Sequence, residues 1–448
     1  MIHNPVPFDF VPFSEKAPIL KTVDEWENEG GLLSGCIRYS IKTITDVHIV
    51  GEQKRTGNSE TDYQIHESNF HKSANSYLIP ASSIKGMIRS FIETLTNSWV
   101  SQETDKFPKK ANKRYVGFAS YSQQNGKDIT IGPAIPVRLH PKIQDKKLDL
   151  ASFLFGVVIE GAKDNSAYQS RIQFEDIIVP DCNFHNTIQL PDIPGKPFIG
   201  GPKPVAGNWW YFEPHRVQRR VMPDLQTTLF LGNEYRGRKF YFHQFPDNAL
   251  SWYDNENNWP QTIYRYPVQT IKPDTDINNC SIYFERIPKA LLDLFILALQ
   301  PGVNIKHKIG YGKAFGLGSI DIAIEKINYY SDADFFLNKN EEYNHQIVTT
   351  GGFKDKESLY NQYIDKMSLK WLARILSKEN MHSLTFTYPP FSRGFFQTPV
   401  SWKSYKAVPS GLDDMQIADK LSNLKQTINF RYYQSKSNNW NLVFNREP

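Results

Sequence analysis

Residues 77–95, Tyr-Leu-Ile-Pro-Ala-Ser-Ser-Ile-Lys-Gly-Met-Ile-Arg-Ser-Phe-Ile-Glu-Thr-Leu, admit few structures. The spacing predicts a strand end, a tight turn at Pro80 and an amphipathic helix. Ile84, Met87, Ile88, Phe91, Ile92 and Leu95 recur at helical intervals, which asks for one buried stripe. Ser82 and Ser83 are candidate N-caps, with hydroxyls suited to the free amides of a first turn. Lys85 and Arg89 lie four residues apart, on the same side of such a helix. They sit near the positive end of its dipole, where cations are disfavoured. Two readings are open. One is a capped core helix with solvated basic residues; the other is a phosphate site built from hydroxyls, cations and helix-start amides.

A second stretch narrows the choice. Residues 307–318, His-Lys-Ile-Gly-Tyr-Gly-Lys-Ala-Phe-Gly-Leu-Gly, place four glycines within nine residues. An apolar helical pattern that opens at Pro288 precedes them, and the alternating strand pattern Ser319–Ile327 follows. The order helix–loop–strand, without Gly-Lys-Ser/Thr, excludes a Walker loop and a dinucleotide fingerprint. Glycines at Gly310, Gly312, Gly316 and Gly318 permit positive φ and close backbone approach. His307, Lys308 and Lys313 surround them, so amides and cations together suit a phosphodiester backbone. A tight turn that packs on a sheet is the plainer alternative.

Other strand patterns appear at Leu33–Ile41, Ser170–Val179 and Ser281–Glu285. Strand, helix, strands, insertion, strand, helix, glycine loop and strand is an order that suits a ferredoxin-like α+β sheet with helices on one face, although other α+β arrangements fit as well. The expected layout is an N-terminal arm over 1–30 and a core from 31–179 and 281–330. An insertion over 180–280 and a C-terminal extension over 331–448 complete it. The polar stretch 52–76 reads as a long loop. Residues 101–114, with five Lys or Arg, read as a solvated segment or an RNA contact.

The 448 residues bury a large core and carry a net charge of only +5, too mild to imply nucleic acid by itself. The window 196–240 is different. It holds eight Lys or Arg, including Arg216, Arg219 and Arg220, against three acids, an excess equal to that of the whole chain. Trp209, Trp210, Tyr211 and Phe212 lie among them. Cations with interleaved rings suit a single-stranded nucleic acid; an irregular insertion with a small aromatic core is the alternative. Cys36, Cys182 and Cys280 are widely separated, which argues against a disulfide framework or a cysteine zinc site and suits a reducing cytoplasm. No apolar run is long enough to span a membrane, and Met1-Ile-His-Asn-Pro5 has no signal-peptide pattern.

Together the two motifs resemble the RAMP superfamily of CRISPR-associated proteins. Ile79-Pro-Ala-Ser-Ser-Ile-Lys-Gly-Met-Ile-Arg89 is similar to the family's Ile-Pro-Gly-Ser-Ser-Leu-Lys-Gly-x-Leu-Arg, with Ala81 in place of glycine. Glu93-Thr-Leu-Thr-Asn97 resembles one branch of larger members. Residues 307–318 resemble the family's glycine-rich loop, Val47–Gly51 its usual His-Ile-Gly, and Leu154-Phe155-Gly156 with Arg171–Phe174 is also family-like. The likeness spans roughly 30–330 and is poor across 180–280.

The resemblance implies an RNA-recognition-motif-like core in a backbone subunit of a type III CRISPR effector complex. Such a subunit holds CRISPR RNA beside other subunits of the same superfamily and serves antiviral defence. Ser82, Ser83, Lys85, Arg89, His307, Lys308, Lys313 and the four loop glycines match RNA-binding positions. Many members also cleave target RNA with a loop Asp and a divalent metal such as Mg²⁺. Asp62 is the best match here, with Glu60 and Glu67 as alternates; a carboxylate would hold the metal or orient the attacking 2′-hydroxyl. Two other readings follow from the likeness. One is a non-catalytic architectural or capping subunit. The other is a precursor CRISPR RNA-processing endoribonuclease, with His307 and Tyr311 near the glycine loop.

Overall fold

The computed structural model describes residues 2–4, 7–57, 63–100, 119–124, 127–133, 135–141, 146–158, 167–192, 217–222, 227–232, 237–254, 263–332, 334, 341–349, 362–386, 429–434 and 440–445. In chain order the frame begins with Phe8–Val11 (β1), Val23–Glu27 (α1), Leu32–Thr43 (β2), Val50–Thr56 (β3), Gln64–Phe70 (β4), Ser76–Ile79 (β5) and Ala81–Leu95 (α2). Leu150–Phe155 (α3), Ile172–Phe174 (β6), Ile177–Val179 (β7), Phe184–Asp192 (β8) and Arg238–Tyr241 (β9) follow. Tyr264–Ile271 (β10), Asp276–Pro288 (β11), Lys289–Leu299 (α4), His307–Lys308 (β12), Ser319–Ser331 (β13) and Lys366–Ile375 (α5) come last.

The central sheet has the order β6-β11-β2-β13-β12, and every neighbour is antiparallel. Two strand–helix–strand units interleave in it: β2-α2-β6 and β11-α4-β13. The alternation read in the sequence supplies the core. Ile37, Tyr39 and Ile41 on β2 and Ile320, Ile322, Ile324 and Ile327 on β13 are buried. They share one apolar cluster with Ile84, Ile88, Phe91, Ile92 and Leu95 of α2 and with Leu291, Leu294 and Phe295 of α4. Each fully buried side chain of this kind stabilises the fold by about 1.5–3 kcal/mol.

A second sheet, β8-β10-β4-β3, corrects the reading of 52–76 as a loop. β3 and β4 form an antiparallel pair, and β10 joins β4 in parallel at Val268 and Ser68. The partner strand arrives from about 200 residues downstream. Only one face of β4 is covered, by Ile65, Ser68 and Phe70, so the stretch stays polar overall. The insertion therefore lends its ends, β8 and β10, to a sheet shared with residues 50–70.

The single strand read over 170–179 is two short ones. β6 belongs to the central sheet, and β7 pairs with β5 in another. Between them Asp176 accepts the Ala81 backbone N–H through Oδ1 at 2.7 Å. This carboxylate corrects the capping expectation. Pro80 is the N-cap residue and makes no side-chain cap bond, while Ser82 and Ser83 already lie inside α2.

The arm and the extension join the same core. β1 pairs with β9, and Ile2–Asn4 pairs with Leu384–Phe386. Trp26 is fully buried and its Nε1 donates to the Leu148 carbonyl at 2.9 Å. On α5, Trp371, Leu372 and Ile375 enter the main cluster.

Candidate nucleic-acid interface

The rotation of α2 is set by its apolar stripe, and two different flanks result. Ser83, Gly86, Met87 and Ser90 occupy one; Lys85, Arg89 and Glu93 occupy the other. The structure turns the serine flank toward the glycine loop. A cavity of about 420 Å³ lies there. α2 lines it with Ser83, Gly86, Met87, Ser90 and Phe91, β9 with Lys239, Phe240 and Tyr241, and the loop region with His307, Lys308, Ile309, Gly310 and Lys313. Leu376, just past α5, closes it.

The loop is fastened to residues 45–48. Tyr311 N–H donates to the His48 carbonyl at 2.8 Å, Gly318 N–H to the Asp46 carbonyl at 2.7 Å, and Thr45 Oγ1 to the Gly316 carbonyl at 2.9 Å. All four loop glycines have positive φ. At Gly310 a Cβ would stand 2.2 Å from the His48 carbonyl oxygen, and at Gly318 2.0 Å from that of Ile309. These two glycines therefore serve internal closeness of backbone to backbone. Gly86 is the opposite case, since a Cβ there would meet nothing within 4 Å.

Three lysines line the cavity, Lys239, Lys308 and Lys313. Lys308 is only 7% exposed, and burial, with Lys313 nearby, pushes its ammonium down to about 7. Burial also lowers Lys313, and Lys239 adds to that effect. Among the described residues no carboxylate forms an ion pair with Lys308 or Lys313. The Lys239 ammonium stands 3.8 Å from the centre of the Phe8 ring and 4.8 Å from that of Tyr241.

The other expected RNA contacts are placed as follows. Lys85 Nζ donates to Ser170 Oγ at 2.9 Å, and burial followed by Arg89 lowers its pKa. Arg89 Nε donates to Glu93 Oε1 at 2.8 Å, with Arg238 Nη1 at 3.6 Å from Glu93 Oε2. Both cations are thus engaged with the protein on the flank away from the cavity. His307 is inside the cavity wall, but its Nε2 faces the Ala298 and Leu299 carbonyls at 3.0 and 3.1 Å. It therefore carries the proton on Nε2, closes the end of α4, and is held neutral, with burial pushing it down to about 4.

Arg219 and Arg220 fall on the hairpin strand Val217–Met222, and Arg216 lies outside the described residues. So do Asp62, Glu60 and residues 101–114. Glu67, on β4, is paired with Lys54. Tyr63, next to Asp62, lies under the Arg55 guanidinium at 4.6 Å. Among the described residues no group of three His, Cys, Asp or Glu is placed to hold a metal ion.

Sequence reasoning missed Gly86, Ser90, Tyr241, His243 and Ser319 as cavity or cavity-supporting residues. Ser90 was legible, since it sits seven residues after Ser83 on the same helical flank. Tyr241 and His243 were not, because nothing local ties the insertion's edge strand to the glycine loop.

A mixed α+β protein results, with a lysine-lined cavity between a helix start and a glycine loop. The family model of the RAMP superfamily matches residues 40–321, from within β2 to within β13, and the chain belongs to that superfamily. This makes it a CRISPR-associated protein of an RNA-binding group whose members assemble with other CRISPR subunits. A comparison with curated proteins finds no match. No helix among the described residues is long and apolar enough to cross a membrane.

Proposed function

We propose that this chain is a cytoplasmic CRISPR RNA-binding backbone subunit of a type III effector ribonucleoprotein in antiviral defence, with an RNA-recognition-motif-like, ferredoxin-like core. The observation that carries it is the cavity itself, where both motif stretches meet and where, among the described residues, no carboxylate forms an ion pair with Lys308 or Lys313. Hydroxyls of Ser83 and Ser90 and the lysines suit phosphate oxygens, and Tyr241 offers ring surface beside them. The strand order, with β2 and β11 central and β6 and β13 outside them, supports the ferredoxin-like part.

The test is binding of single-stranded CRISPR RNA across a salt series. Replacing Lys313 and Lys239 with Glu should weaken binding and flatten the salt dependence by about 1.4 log units per log unit of salt, two contacts' worth on a single strand. An unchanged slope would remove the cavity from the interface.

Cleavage of guide-matched target RNA belongs to the same proposal, with Asp62 and Mg²⁺ as the agents. Asp62→Ala should abolish a Mg²⁺-dependent cut and leave binding intact; persistence of every cut would leave the architectural role alone. The precursor-processing reading gains nothing from His307, whose Nε2 is committed to helix carbonyls.

A further inference from the structure

Lys308 belongs to a buried chain of neutral groups that the two motifs do not explain. His243 is fully buried, and its Nε2 lies 3.1 Å from the Lys306 carbonyl. A carbonyl oxygen only accepts, so Nε2 must carry the hydrogen and Nδ1 must be the acceptor. Ser319 Oγ lies 2.8 Å from that Nδ1 and therefore donates to it. This leaves the Ser319 oxygen to accept from Lys308 Nζ at 3.2 Å. Every direction in the chain is fixed, and the chain asks Lys308 for one N–H only. A neutral amine and an ammonium supply it equally well.

The surroundings disfavour the ammonium. Within its own segment Lys308 follows Lys306 and His307. Lys306 is already paired with Asp321 of β13 at 2.6 Å, and His307 is neutral at the end of α4. The loop brings Lys313, β9 brings Lys239 and Tyr241, the segment after β9 brings neutral His243, and α2 brings serines. An anion in the cavity would reverse this balance, because it supplies the missing counter-charge at low local dielectric.

We propose that RNA binding at this cavity is proton-linked: above neutral pH Lys308 is mainly an uncharged amine until a phosphate group enters, and it takes up a proton from solvent as the phosphate is seated. This rests on the cavity being the RNA site and adds how that site recognises charge. It also means that affinity falls as the solution becomes more alkaline above neutrality. With the amine near neutrality in the free protein, uptake should be at least about half a proton at pH 8 and smaller at pH 6.

Calorimetric titration of the full chain with a mixed-sequence single-stranded RNA, in Tris and in HEPES at pH 8, reads the uptake directly. The apparent enthalpies should differ by at least about half of the difference in buffer ionisation enthalpy, and the difference should shrink at pH 6. Lys308→Arg should bind without uptake, and Lys308→Met should bind more weakly, also without uptake. RNA binding with the same enthalpy in both buffers at pH 8 overturns the inference and leaves the RNA-binding reading standing. Undiminished uptake in Lys308→Met moves the proton to another group and overturns it too. Absence of RNA binding by the unaltered chain overturns both.

Discussion

Gly86→Ala separates folding from binding at a single methyl group. Gly86 sits at the sixth residue of the 15-residue helix α2, and its φ is not positive, so the backbone there does not need a glycine. An added Cβ would find no atom within 4 Å, so it carries no steric cost. Glycine in an exposed helix interior is about 1 kcal/mol worse than alanine, largely through backbone entropy. The variant should therefore be more stable by about 1 kcal/mol, a rise of about 2 °C in melting temperature for a chain of this size. The same methyl projects from the helix flank that lines the cavity. If RNA backbone approaches that flank, the methyl displaces it and removes a contact worth about 1.4 kcal/mol, a tenfold weakening. Differential scanning calorimetry and fluorescence anisotropy with CRISPR RNA measure the two effects in one preparation. Opposite signs cannot arise from misfolding, and Gly86→Leu should extend the affinity loss. A higher melting temperature with undiminished affinity would refute the assignment of this flank to RNA; a lower one would refute the open space above Gly86.

Gly310→Ala should behave in the other way. A left-handed conformation costs an alanine about 1–2 kcal/mol, and the clash with the His48 carbonyl would also break the Tyr311-to-His48 hydrogen bond, for about 2–4 kcal/mol in all, read by denaturant unfolding. A variant as stable as the parent would disprove that fastening. His307→Leu should cost about 1–3 kcal/mol by leaving the Ala298 and Leu299 carbonyls unpaired, while the salt dependence of RNA binding stays the same. A slope change of about 0.7 would mean that His307 contributes charge to the interface after all.

Much of the central sheet was legible because its strands alternate locally: Ile37, Tyr39 and Ile41, or Ile320, Ile322 and Ile324, announce a face by themselves. β4 was not, because Ile65, Ser68 and Phe70 become a buried face only when β10 arrives from the insertion. What the N-terminal arm packs on was not legible for a similar reason: its partner strand β9 is some 230 residues away. At the helix start the sequence offered Ser82 and Ser83 as caps, and a carboxylate from a distant turn, Asp176, took that role.

The sequence by itself determined that residues 81–95 are a helix with one buried stripe, that the loop over 310–318 needs glycine, and that both belong to one superfamily's pattern. These follow from local periodicity, from φ restrictions and from residue identity at fixed spacing. It also determined that Ser83 and Ser90 stand on one flank of the helix while Lys85 and Arg89 stand on the other. Which flank meets the glycine loop was decided only by the crossover from β2 through α2 to β6, since a helix can be laid on a sheet with either flank toward a given edge. The tertiary structure chose the serines. It paired Arg89 with Glu93, tied Lys85 to Ser170, and lined the cavity instead with Lys239, Lys308 and Lys313.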